Sequence, residues 1–398
     1  MIKGNAVVAQ SGGPTSVINA SLAGVIAGAL AAEGIGKIYG SRNGIEGIIK
    51  DNLVELKDVD LEVLKRTPGS YLGTCRYKLP KAADAPDVYV NIAEVFAKYD
   101  IKYFFYIGGN DSMDTANKIG KYVSEKADLT VVGVPKTIDN DLPFTDHTPG
   151  YGSAAKYIAT STAELYMDVK SFDFPYVLTI ETMGRHAGWL AAATALAKDK
   201  YGAPDLIYLP EINFSLEKFL SDVEAKFKEK NVIVAVASEG IKYAPGEYVS
   251  AASAAVTDKF GHASLGGCAN VLAAAAKEHF KCKTRSVVMD MLQRCAAHCA
   301  SATDVNEAFM IGRSATEEAA RGGSGVMMTF VRNEGPYGVS VGTCPLEQAA
   351  NVEYTIPKEW INASENFVTQ ECLDYMRPLI QGELPPLTED GLPKFAVL

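Results

Sequence analysis

Several short stretches carry side chains that could move a phosphoryl group. Pro135-Lys136-Thr137-Ile138-Asp139-Asn140-Asp141 sets a lysine ahead of two carboxylates two residues apart, with an amide between them. One carboxylate there can deprotonate an attacking hydroxyl, while the ammonium offsets charge on a transferring phosphate. An Asx-turn would account for Asn140 and Asp141, but it leaves Lys136 and Asp139 without a task. Gly108-Gly109-Asn110-Asp111-Ser112 offers two side chains suited to Mg²⁺ or its water shell; a helix cap is the equal alternative. In Ser11-Gly12-Gly13-Pro14-Thr15-Ser16 the glycines let backbone amides approach an anion at a helix start. No Gly-Lys-Ser/Thr follows, and a plain turn explains these residues alone just as well. Met183-Gly184-Arg185 presents an arginine that can fork onto a phosphate or a sugar hydroxyl. Glu239 can accept from hydroxyls, and Arg76, Arg285 and Arg294 could add anion contacts, though each taken singly reads as a surface charge.

These clusters need elements to hold them, and apolar runs supply candidates. Asn5–Gln10, Lys102–Ile107, Leu129–Val134, Tyr176–Thr182 and Asn231–Ala237 read as buried strands. Each ends where a cluster begins: Ser11–Ser16, Gly108–Ser112, Pro135–Asp141, Met183–Arg185 and Ser238-Glu239-Gly240. Helices are expected from Val17, from about Met113, and over His186–Lys198. Apolar strands alternating with helices predict parallel α/β layers, and ligands bind such sheets outside the carboxyl ends of the strands. Gly150-Tyr151-Gly152-Ser153-Ala154-Ala155 fits a dinucleotide fingerprint, but no strand precedes it, so it is read as a coincidence.

Bulk properties exclude other classes. A chain of 398 residues exceeds one ordinary core and predicts two domains. A boundary near Gly150 suits the Pro/Gly-rich Thr148–Ser153, and the proline-rich tail from Pro345 is expected to wrap the core. Net charge is −10 with scattered Lys and Arg, which argues against nucleic acid or an anionic membrane as partner. No leader pattern or spanning segment is read, and seven dispersed cysteines without a CxxC pair predict reduced thiols in the cytoplasm. Cys295, His298 and Cys299 could share a helix face, but without a distant partner set they are read as ordinary side chains.

Taken together, SGGPTSVINA, GSYLGTCR, GGNDS, PKTIDND, MGRHAGW, ASEG and TRSVVMDMLQR resemble the phosphofructokinase family in order and rough spacing, from about Val7 to Arg294. The resemblance implies two doubly wound Rossmann-like α/β domains with the active site in the cleft between them. Residues 1–150, completed by about 295–345, would bind the donor phosphate; residues 151–294, completed by the tail 346–398, would bind fructose 6-phosphate. It also implies Mg²⁺ as cofactor and a homodimer or homotetramer. By the same resemblance Asp139 is the base for the sugar's 1-hydroxyl, with Thr137 and Ile138 beside the substrate and Asp141 supporting the metal. Gly12, Gly13 and Arg76 match donor contacts, as do Asp111 and Ser112 by position. Met183, Gly184, Arg185, Glu239, Met291 and Arg294 match sugar-phosphate contacts, and Arg285 matches an arginine that reaches the 6-phosphate, in the family often across a subunit interface.

Departures from the family pattern carry information. Where ATP-using members resemble GGDGS this chain has Asp111, and where they have glycine before TIDND it has Lys136. Both are similar to the pyrophosphate-dependent branch: a carboxylate would crowd and repel a nucleotide's α-phosphate, and the lysine replaces charge stabilisation lost with the shorter donor. Some ATP-using relatives carry that lysine, so the expectation rests more on Asp111, and ATP is the alternative donor. Asn110 stands at a usual metal-supporting aspartate, and Met291 replaces a polar sugar contact. A non-catalytic regulatory subunit is the alternative these two keep open. Tyr176 replaces an arginine, so help for the 6-phosphate is expected from Tyr375 and Arg377. Ala23 and Ala27 replace effector-binding arginines, so no nucleotide or phosphoenolpyruvate control is expected there.

Overall fold

The computed structural model describes residues 3–124, 128–250, 266–350 and 352–398. The apolar runs become strands whose inner residues exclude water. In chain order the framework is β1 (Gly4–Gln10), α1 (Ile18–Ala31), β2 (Ile35–Ser41), β3 (Leu53–Glu55), β4 (Ile101–Gly108), α2 (Asn110–Ser124) and β5 (Thr130–Pro135). It continues with α3 (Tyr151–Val169), β6 (Tyr176–Thr182), β7 (Leu206–Tyr208), β8 (Val232–Ser238), α4 (Cys268–Phe280), β9 (Lys283–Val288), α5 (Ala302–Ala320), β10 (Val326–Arg332) and β11 (Val339–Pro345).

Two sheets result. A seven-stranded sheet runs β11-β10-β5-β4-β1-β2-β3, and a four-stranded sheet runs β9-β6-β8-β7. The second is parallel throughout, while the first is parallel except at its two edge pairs. Strand order reverses between β1 and β4 in one sheet and around β6 and β8 in the other. The crevice at a reversal is where an open α/β sheet takes a ligand. This is the two-unit doubly wound α/β architecture. Strands β10 and β11 return to the first sheet, whereas Ile356, Ile361, Val368, Cys372, Leu373, Met376 and Leu379 of the tail pack in the core around β6 and β8. The tail does not stay there, since the Ala396 amide donates to Thr67 Oγ1.

Helix α1 is buried nearly all round because it lies between the first sheet and α5. Their backbones touch: a Cβ on Gly312 would stand 2.1 Å from Ser21 O. Ala23, one of the two alanines where no effector control is expected, is fully buried in this packing. Trp189, also fully buried, is ringed by Tyr354, Trp360 and Tyr375 of the tail. Burying a large apolar side chain stabilises by roughly 1.5–3 kcal/mol, so this cluster ties the tail firmly to the second sheet.

Beneath the loop that follows β5 lies a buried charge network. His147 Nδ1 is 2.8 Å from Asp146 and its Nε2 is 2.9 Å from Glu307. Arg332 donates to both Asp146 oxygens, and Tyr337 donates to Glu307 at 2.8 Å. Burial alone would lower the imidazole's pKa, but the two carboxylates outweigh it and hold it up at about 9. Because the folded pKa lies above the ordinary 6.5, the network's stabilisation is complete below pH 6.5 and is lost as pH rises through 9. The shift corresponds to roughly 3 kcal/mol at most. Melting temperature is therefore expected to fall between pH 6.5 and 9 in the native protein. His147→Gln should melt lower at pH 6 and show a flatter profile. An equally steep profile in that variant would remove His147 as its source.

Candidate active site

The carboxyl ends of the central strands of both sheets face one cavity of about 610 Å³. From the first sheet, the loop after β1 contributes Gly12 and Gly13, the start of α2 contributes Asn110, Asp111 and Ser112, and the loop after β5 contributes Lys136, Thr137, Ile138, Asp139 and Asp141. From the second, the loop after β6 contributes Met183 and Arg185, and the end of β8 contributes Glu239. Arg76 and Arg294 complete the polar wall. Fifteen of the eighteen residues singled out from the sequence thus converge on one space.

Lys136 is buried, and its Nζ donates to Gly13 O at 2.7 Å, so it links the turn after β5 to the loop after β1. Burial lowers its pKa to about 8, against the pull of Asp139 and Asp141 and with help from the charges of Arg294 and Arg76. Asp139 keeps some surface open to the cavity, and its amide donates to Thr137 Oγ1 at 3.1 Å. Burial pushes its carboxyl up, opposed by Lys136 and Arg185. Asp141 is pushed to about 8 by burial and then by its neighbours Asp139 and Glu353; Glu239 is pushed to about 7 by burial and then by Asp139. Repelling carboxyls in one recess give a site that gains from a cation or from a hydroxyl donor. Asn140 points the other way. It has φ +55°, accepts from the Thr148 amide and donates to Tyr375 Oη, fixing the turn from below.

Gly184 has φ +130°, and an added Cβ would stand 2.5 Å from Ala187 O, so glycine is required to bend the chain back under Arg185. Gly184 does not itself line the cavity; its amide is 3.4 Å from Glu239 Oε1 and helps orient that carboxylate. Gly12 does line it, but its amide is already donated to Cys75 O. That bond anchors the segment carrying Arg76.

Two expected helix bounds are corrected, and four further residues expected at the site from the sequence lie outside this cavity. Gly108–Ser112 is not a free loop ahead of a helix at Met113: α2 begins at Asn110, so Asn110, Asp111 and Ser112 form its first turn. The helix expected over His186–Lys198 is shorter, Trp189–Ala193, continued as a 3₁₀ turn Thr194–Ala197 and a final α turn Lys198–Tyr201. Arg285 lies exposed on edge strand β9, hydrogen-bonded to Tyr176, and Met291 is 57% exposed; neither lines the cavity. Tyr375 and Arg377 do not line it either. Tyr375 donates to Asp146 O beneath the turn that follows β5, and Arg377 pairs with Asp199 on the surface. Arg294 reaches towards the loop after β1, 3.1 Å from where a Cβ on Gly13 would stand.

Sequence reading missed other lining residues, among them Thr15, Lys78, His186 and Glu353. His186 sat in a quoted motif and was passed over. Glu353 has no local signature, because only the folded tail brings it here. Gln293, also missed, accepts from the Met183 amide at 3.0 Å.

For a metal, Asn110 offers a buried Oδ1 with no hydrogen-bond partner among the described residues, on a residue that lines the same cavity as Asp139 and Asp141. Among the described residues no three His, Cys, Asp or Glu side chains group as a metal cage. That suits Mg²⁺, which takes one or two protein oxygens and fills its shell with water and phosphate. Cys299 Sγ lies 3.8 Å from Thr160 Oγ1, and the His298 ring packs edge-on to Tyr157.

A two-unit α/β fold whose strand ends face each other across a cation-walled, acid-floored cleft defines the class. The chain belongs to the phosphofructokinase family: the family model described as Phosphofructokinase matches residues 5–319. It is 43% identical to the pyrophosphate--fructose 6-phosphate 1-phosphotransferase of Halomonas elongata, covering 100% of this chain and 97% of that one. Crystal structures of two pyrophosphate-dependent phosphofructokinases are similar. The one from Nitrosospira multiformis has TM-score 0.90 at 41% identity, covering 99% of this chain and 96% of that one. The one from Marinobacter aquaeolei has TM-score 0.88 at 44% identity, with 99% and 95% covered.

Proposed function

We propose that this chain transfers a phosphoryl group reversibly from pyrophosphate to the 1-hydroxyl of fructose 6-phosphate, giving fructose 1,6-bisphosphate and phosphate. The observation that carries this reading is the buried Lys136, bonded to the donor loop at Gly13 and set three residues before Asp139 in the same recess. Asp139 accepts the proton of the 1-hydroxyl as its oxygen attacks the near phosphorus. The bond from that phosphorus to the bridging oxygen breaks, and phosphate leaves. Lys136, Arg76 and Arg294 hold the donor's charge, and Asp111 and Ser112 on the first turn of α2 border it. Met183, Arg185 and Glu239 hold the sugar phosphate. Asn110 and Asp141 would hold Mg²⁺, which supplies charge neutralisation on the phosphate oxygens when bound.

The first sheet, with residues 1–150 and 295–345, is assigned to the donor; residues 151–294 with most of the tail are assigned to the sugar. The chain is assigned to the cytoplasm: all seven cysteines are free thiols, and among the described residues no helix is long and apolar enough to cross a membrane. It is assigned a homo-oligomer in which the β9 edge meets another copy. Phe172, Phe174, Val288, Met291 and Leu292 are exposed along that side, where Arg285 also stands. Phosphorus NMR tests the chemistry. Fructose 6-phosphate, Mg²⁺ and pyrophosphate should yield a sugar bisphosphate and phosphate, and adding excess phosphate should regenerate pyrophosphate. Pyrophosphate released as two phosphates with unchanged sugar would contradict transfer.

A further inference from the structure

At residues 353–356 the tail passes the cavity, which Glu353 lines, and four contacts hold it there. Glu353 Oε1 lies 2.7 Å from His186 Nδ1. Tyr354 donates its amide to Asp141 O at 2.7 Å and accepts from Trp189 Nε1 at 3.2 Å. The Ile356 amide donates to Glu211 Oε1 at 3.0 Å, and that same oxygen accepts from the Gly188 amide at 2.9 Å. One carboxylate oxygen therefore joins the chain just past His186 to the chain just past Glu353.

The joint is tight and carries a cost. A Cβ on Gly188 would stand 2.6 Å from Leu209 Cδ2 and 2.9 Å from Glu211 Oε2, so the loop has no room to slide away. Oε2 is buried with no hydrogen-bond partner among the described residues, and burial pushes the carboxyl's pKa up. A buried acid with an orphaned oxygen destabilises a fold. Its geometry, two amides on one oxygen, supplies what the cost would maintain: a fixed spacing between two segments that border the cavity.

We propose that Glu211 is a positioning residue for the sugar side of the site, which through Gly188 and Ile356 sets the His186–Glu353 pair beside Arg185 and makes the tail part of the acceptor pocket. This rests on the reading of the cavity given above. The test measures kcat, both KM values and melting temperature on the full chain. Its variants are Glu211→Ala, Glu211→Gln, Glu353→Ala and the double Glu211→Ala/Glu353→Ala. Glu211→Ala is expected to raise KM for fructose 6-phosphate about tenfold and to leave KM for pyrophosphate within about twofold. Glu211→Gln, whose amide oxygen accepts the same two N–H groups, should recover most of that loss. Glu353→Ala should raise the sugar KM several-fold, and the double variant should be no worse than Glu211→Ala alone.

Equal changes in both KM values, fully additive effects, or an unchanged sugar KM in Glu353→Ala would each overturn the proposal. Glu353 is about half exposed, so that last variant decides even if Glu211→Ala fails to fold. If the native protein turned over neither donor, the functional reading would fail separately. Calorimetric affinity for fructose 6-phosphate, measured on the same variants, would then test the positioning claim by the same pattern.

Discussion

Replacing Asp139 by asparagine is expected to lower turnover about a thousandfold while KM for fructose 6-phosphate stays within a few-fold. General-base catalysis is worth roughly 10²–10⁴ in rate, and an amide of the same shape cannot accept the proton. Met183, Arg185 and Glu239, proposed as the sugar's other contacts, line the cavity from the second sheet and are untouched. Stability sharpens the test. Burial holds the Asp139 carboxyl above its ordinary pKa, so its ionised form destabilises the fold, increasingly as pH rises above the ordinary range. The asparagine variant should therefore melt no lower than the native protein at pH 8. Turnover within tenfold of native would remove Asp139 as the base. A large drop in melting temperature would instead make its role structural.

Lys136→Met is the second substitution with a large expected effect. Among the described residues its ammonium is the one lysine charge buried in the recess, and losing a preorganised charge there costs about 10²–10³ in rate. The loss should fall on kcat/KM for pyrophosphate, with sugar binding little changed. The lowered pKa of about 8 gives a pH signature of defined sign. The free enzyme's Lys136 is charged below pH 8 and loses its proton above it, so kcat/KM for pyrophosphate should decline through that range. The methionine variant should lack that decline. A native profile flat to pH 10 would contradict the assignment, as would the same decline in Lys136→Met.

Both arguments use residues that were legible in the sequence, for a physical reason. Strands β1, β4, β5, β6 and β8 are buried on both faces, so they appear as unbroken apolar runs, and the polar turn after each stands out against them. What was less legible lacks that contrast. Asn110 begins α2 where Gly-Gly-Asn looks like a loop, because cap residues and turn residues are the same types. Strand β9 is an edge strand with alternating exposure, so Arg285 gave no sign of facing outward. Strands β10 and β11 join the first sheet from far along the chain, and β7 is only three residues long. Glu353 and Glu211 could not be found from local pattern at all. Their significance comes from a tail that crosses the cleft, held by an aromatic cluster assembled from three separate segments.

The donor is the centre of the account, since Asp111 and Lys136 are the residues that separate it from its alternative. The most direct measurement is the initial rate with fructose 6-phosphate and Mg²⁺, pyrophosphate and ATP being compared side by side at matched concentrations. The account predicts rapid turnover with pyrophosphate and none above background with ATP. Turnover with ATP alone would contradict it, leaving the family intact and the reading of those two residues wrong.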